Sequence, residues 1–103
     1  MTKDSVDQEF EAEVREHGGV KMHVVYVNTS AVAEFSVPRT TTLDEAFNKA
    51  YAELKEKRRP TDTFFCEDGA PLQQYLSLTL EELHRRKICR KRRFQISGET
   101  GGA

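Results

Sequence analysis

Residues 42–54 read TLDEAFNKAYAEL. The Thr42 hydroxyl is placed to accept from a first-turn backbone N–H, and Glu45 to reach back to the cap, so the stretch opens with a capping box. Leu43, Ala46, Phe47, Ala50 and Leu54 then recur at helical spacing as one apolar stripe, while Glu45, Asn48, Lys49, Glu53, Lys55 and Glu56 fall mainly on the opposite face. A helix with one buried side is expected over residues 42–57. Arg58-Arg59-Pro60 should end it, because proline cannot continue the ladder and drives its predecessor out of the helical region.

Upstream, residues 21–28 (KMHVVYVN) are β-branched and aromatic without helical period. Asn28-Thr29-Ser30 is a turn cluster, and residues 32–37 (VAEFSV) alternate before Pro38. A hairpin is expected. Downstream, residues 63–66 (TFFC) read as a short strand, the Asp68-Gly69 centre as a turn, and residues 72–75 as a short returning strand. Thr79 and Glu82 make a second capping box on a brief helix with Leu80 and Leu83 inward. Residues 88–96 read as a final strand with Ile88, Phe94 and Ile96 toward the core. Leu43, Phe47, Leu54, Phe65 and Ile96 are the expected core.

The chain of 103 residues, 37% hydrophobic, has the length of one domain with polar ends. Charge is unevenly spread beneath a net of −1. Residues 1–20 carry Asp4, Asp7, Glu9, Glu11, Glu13 and Glu16 against Lys3 and Arg15, and read as an acidic mobile arm in which Phe10 and Val14 stand at helical spacing. Between His84 and Arg93 stand Arg85, Arg86, Lys87, Arg90, Lys91, Arg92 and Arg93 with no acid among them. Such a run tracks phosphates, forms the solvated face of a strand, or docks on an acidic protein groove; with no aromatic interleaved, the last two are expected over nucleic acid. Residues 97–103, SGETGGA, read as a flexible tail.

Several classes fall away. Glycine-rich phosphate loops, HExxH and GxSxG patterns are missing, and His17, His23 and His84 are scattered, so neither catalysis nor a cofactor or metal is expected. Cys66 and Cys89 form no CxxC pair and are expected to be reduced. No apolar run has the length of a bilayer span and the start lacks a signal-peptide core, so a cytoplasmic protein without a membrane partner is expected.

The order strand, strand, helix, strand, short strand, short helix, strand, followed by Gly101-Gly102, resembles ubiquitin and the β-grasp fold over residues 21–102. The resemblance implies an α+β domain at residues 21–96, its mixed sheet packed on one main helix, flanked by the arm at 1–20 and the tail at 97–103. The acidic arm makes the chain more similar to divergent bacterial ubiquitin-like proteins. By that resemblance it is a protein modifier, not an enzyme, activated and conjugated through Gly102 after a peptidase cuts between Gly102 and Ala103. The implied partners are an activating enzyme, a conjugating enzyme, a deconjugating peptidase and a target protein.

Chemistry gives the diglycine a reason. A carboxyl that must thread a narrow channel, be adenylated and pass to a thiolate and then an amine needs a terminus without side chains. Residues 97–102 extend at most about 20 Å to provide the reach. The resemblance also puts the partner-binding surface at Arg90 and Arg92, expected to face solvent beside the tail. A sulfur carrier of the same fold and a non-conjugated β-grasp interaction domain are the alternatives.

Overall fold

The computed structural model describes residues 19–89 and 91–98. The arm at residues 1–18, Arg90 and residues 99–103 lie outside them, and with them Phe10, Val14 and the Gly101-Gly102-Ala103 terminus.

Strand β1, Val20–Tyr26, alternates strictly: Val20, Met22, Val24 and Tyr26 are buried while the residues between them are not. It pairs antiparallel with β2, Ala31–Val37, in a register running from Val20↔Val37 to Tyr26↔Ala31. The turn between them closes through the Ser30 N–H donating to the Tyr26 carbonyl at 2.8 Å, with Ser30 in the left-handed region at φ 63°. Immediately before β1, a Cβ on Gly19 would stand 2.5 Å from the Val37 carbonyl oxygen, so this close approach of two backbones admits only glycine.

Helix α1, Leu43–Leu54, starts at the expected capping box, with Thr42 Oγ1 accepting from the Glu45 N–H and the Glu45 side chain returning to the Thr42 N–H. Helix α2, Leu80–Arg85, repeats the device with Thr79 and Glu82. The two N-termini satisfy each other's neighbours. The N–H groups of Leu43 and Asp44 donate to the Leu78 and Leu76 carbonyls, and those of Leu80 and Glu81 donate to Thr41 and Arg39.

Strand β3, Thr63–Cys66, pairs antiparallel with β4, Arg93–Ser97, and β4 pairs parallel with β1. The result is a four-stranded mixed sheet in the order β2-β1-β4-β3, with one main helix laid on it. The core closes around Phe47, which is fully buried, stacks on Phe64 at 4.3 Å and meets Phe94 edge-on at 5.8 Å between ring centroids.

The structure departs from the sequence expectations at six places in the fold. Helix α1 ends at Leu54, where Lys55 turns left-handed at φ 58°, before Arg58-Arg59-Pro60 is reached. The inward aromatic of β3 is Phe64 rather than Phe65, because the pairing of Phe64 with Ile96 sets which face each residue takes. Leu54 is half-buried at the core margin. Residues 72–75 do not form a strand; after a single bridge between Phe65 and Pro71, Gln73–Tyr75 winds into a 3-10 turn below the buried Leu72.

The last strand begins at Arg93 rather than at residue 88, because Lys87, Cys89 and Arg92 all adopt positive φ, of 61°, 52° and 51°, and such backbone cannot join a ladder. The cysteines are also not reduced: Cys66 and Cys89 form a disulfide across a sequence separation of 23. The fold brings the end of β3 within 5.5 Å, Cα to Cα, of the loop after α2, a proximity that spacing along the chain cannot reveal. By loop closure alone such a link is worth on the order of 3 kcal/mol.

Candidate functional site

The chain leaves the sheet at the end of β4, and there the exit is held by polar groups from two separate segments. The Gly98 N–H donates to Asn28 Oδ1 at 2.9 Å, and Thr63 Oγ1 donates to the Ser97 carbonyl at 3.1 Å. Asn28 comes from the β1–β2 turn, kept in place by the Val27 N–H donating to the Ile96 carbonyl at 2.9 Å. A Cβ on Gly98 would lie 3.1 Å from both Asp62 Oδ1 and the Tyr26 hydroxyl. Substitution would press on a buried carboxylate, so Gly98 fits this exit because it has no side chain.

Asp62 is itself buried, 6% exposed, just before β3. Its Oδ2 accepts from the Tyr51 hydroxyl at 2.5 Å and from the Arg59 N–H at 3.1 Å. Its Oδ1, turned toward Gly98, has no hydrogen-bond partner among the described residues. Tyr51 projects from α1 with its ring edge-on to Tyr26 and Phe64. Burial, then the hydrogen bond to Asp62 and the charge of that carboxylate, push the Tyr51 phenol far above its ordinary value, partly offset by the nearby Arg58 guanidinium. The phenol is therefore a permanent donor at physiological pH. Arg58 is in turn fixed by Asp44 and Asn48, each at 2.7 Å, and lies 5.0 Å over the Phe64 ring.

Tyr51→Phe is expected to cost about 1 to 3 kcal/mol by stripping a donor from a buried carboxylate. The sign of the pH dependence follows from the raised phenol. The wild-type bond contributes fully below the unfolded tyrosine pKa of about 10 and is lost as pH rises above it, since the unfolded chain releases the proton first. Urea melts at several pH values should show the wild-type advantage over Tyr51→Phe shrinking above about pH 10. A difference independent of pH would deny the hydrogen bond its role.

The basic run lies at the other end of β4. The five residues Arg93–Ser97 separate it from the tail exit by roughly 17 Å at about 3.3 Å per residue. The expectation that Arg90 and Arg92 flank the tail is corrected accordingly for Arg92, which precedes the strand; Arg90 lies outside the described residues. Arg92 is half-buried, and its carbonyl accepts from the His23 N–H at 3.3 Å.

Much of the run's charge meets acids locally: Arg85 with Glu81 at 3.0 Å, Arg86 with Glu82 at 3.9 Å, and Arg93 with Glu67 at 3.8 Å. Lys91, Arg92 and Arg93 of the run also line a shallow groove of about 190 Å³, together with Lys21, His23 and Glu34. His23 Nδ1 sits 3.1 Å from Glu34 Oε1 across the β1–β2 pair.

Sequence reading found the diglycine and the basic run but not the exit clamp. Tyr51 stands four residues after Phe47 on the buried stripe, a signal that was present; Asp62, Asn28 and Gly98 carried none, being far apart in the chain. Among the described residues no group of three or more His, Cys, Asp or Glu could hold a metal ion, and no helix is long and apolar enough to cross a membrane. No protein-family model matches the sequence, and no curated protein matches it either.

Proposed function

We propose that the chain is a ubiquitin-like protein modifier of β-grasp architecture, conjugated through Gly102 once the bond to Ala103 has been cut. The observation that carries this is the fixed exit: a parallel β1–β4 pair at the sheet centre delivers the chain to Gly98, clamped by Asn28 and Thr63, only four residues before Gly102. The sheet order β2-β1-β4-β3 with one helix laid on it is compatible with a β-grasp. A terminus that must enter an enzyme cleft gains from a rigid base, because ordering the tail then costs less on binding.

Activating and conjugating enzymes, a peptidase and a target lysine are the partners this function needs. With the cognate activating enzyme and ATP, a chain ending at Gly102 should form a thioester, whereas the chain retaining Ala103 should react only after cleavage. A thioester formed equally well through Ala103 would refute the proposal. A sulfur carrier would instead yield a thiocarboxylate at Gly102, and a plain interaction domain would keep its function when residues 101–103 are removed.

In this reading the basic pole docks an acidic surface of the activating enzyme. Arg90→Glu combined with Arg92→Glu should weaken that docking roughly tenfold at low ionic strength, with the difference fading as salt screens it. Titration at two salt concentrations checks this. Tight binding of nucleic acid with a steep salt slope, abolished by the same pair, would assign the run to phosphate contacts instead.

A further inference from the structure

The disulfide occupies the wall of an open groove of about 540 Å³ whose lining is Cys66, Glu67, Asp68, Lys87, Cys89 and Lys91. Its two sulfurs are unequally placed. Cys66 is buried in β3 at 6% exposed, whereas Cys89 is only partly buried, at the core margin on the loop between α2 and β4. A thiolate entering from solvent therefore reaches Cys89 first. Lys87 and Lys91 supply positive charge at the groove, which favours an approaching thiolate and any carboxylates attached to it. Glu67 and Asp68 offer a counterpart for an ammonium group.

The loop that carries Cys89 is irregular: Lys87, Cys89 and Arg92 all hold left-handed conformations, φ 61°, 52° and 51°, without being glycine. The disulfide is what ties this loop to β3.

We propose that Cys89 is a thiol-exchange site for a small zwitterionic peptide thiol. The incoming thiolate attacks the Cys89 sulfur, the Cys66–Cys89 bond breaks, and Cys66 departs as a thiolate that takes a proton from solvent, leaving a mixed disulfide on Cys89. A second thiol attacking the mixed disulfide releases Cys89 and carries away the two small thiols as their own disulfide. Exchange unties the α2–β4 loop from β3 and so repositions Lys87, Lys91 and Arg92. Its consequence for partner docking rests on the modifier reading; the exchange chemistry does not.

The test needs no pathway enzyme, so failure here and failure of the modifier reading are separately visible. The full chain, purified under oxidising conditions, is incubated with millimolar reduced glutathione and followed by intact mass and peptide mapping. One glutathione should appear on Cys89, and Lys87→Glu with Lys91→Glu should slow its appearance roughly tenfold. As a second variant, Cys66→Ser, which leaves Cys89 unbridged, should take one glutathione from oxidised glutathione at Cys89. Unbridged cysteines in the purified protein, resistance to glutathione under conditions where dithiothreitol opens the bond, an adduct on Cys66, or a rate indifferent to the charge reversal would overturn the proposal.

Discussion

Phe47→Ala is expected to destabilise the fold by about 3 to 5 kcal/mol, the range for truncating a buried phenylalanine. Phe47 has no exposed surface, and its ring is the point where α1 meets both central β4 and edge β3, through Phe94 and Phe64. Removing it deletes the contact surface of both partners at once and leaves a cavity that a four-stranded sheet with one main helix has little means to collapse. A small domain has a total stability of about 5 to 15 kcal/mol, so a large part of the molecules should be unfolded or close to it. Urea melts would show the midpoint falling steeply at unchanged slope. Phe65→Ala, on the half-buried opposite face of β3, should cost much less. A loss below about 1 kcal/mol at Phe47 would mean that the helix does not bury this face.

The second large effect is expected at the terminus. Gly102→Arg should reduce thioester formation with the cognate activating enzyme below detection while leaving the melting behaviour of the domain unchanged. On the proposed modifier reading, with Gly98 held by Asn28, the reach of the reacting carboxyl is set by residues 99–102, at most about 13 Å of chain, and not by the whole tail. A cleft that accepts so short a lead must close tightly around it, and a long charged side chain on the last residue would obstruct the attack at its own carbonyl. Gly98→Ala should act differently: it presses a methyl against Asp62 and Tyr26, and is expected to lower stability and conjugation together.

The parts of the fold legible in the sequence are those whose determinants are local. Both capping boxes, Thr42 with Glu45 and Thr79 with Glu82, lie within four residues of chain and appear in the structure as read. The β1–β2 hairpin is legible because β-branched and aromatic residues at 21–28 and alternating residues at 32–37 flank a local turn cluster. Thr63-Phe64-Phe65-Cys66 was ambiguous for the opposite reason: adjacent phenylalanines offer a hydrophobic side to either face, and only the register with β4 decides. Residues 88–92 read as strand in the sequence because left-handed backbone at Cys89 and Arg92 has no signature in non-glycine residues.

The disulfide and the exit clamp share one cause of invisibility. Each joins segments that only the tertiary fold brings together, Cys66 with Cys89 and Asn28 with Gly98, so no pattern along the chain announces them. The basic run was visible as composition, but its distance from the tail follows from where β4 begins.

The central claim is tested most directly by searching the chain's native host, by tryptic mass spectrometry, for lysines that carry its C-terminus. Trypsin cuts after Arg93, and residues 94–102, FQISGETGG, contain no further basic residue. A conjugated target lysine should therefore retain that nine-residue branch, joined through the Gly102 carbonyl. The account predicts branched peptides ending at Gly102, lost in Gly102→Arg and restored in a chain encoded to end at Gly102. Branches that include Ala103, or full biological activity of a chain lacking residues 101–103 with no branched peptide in the wild type, would contradict it.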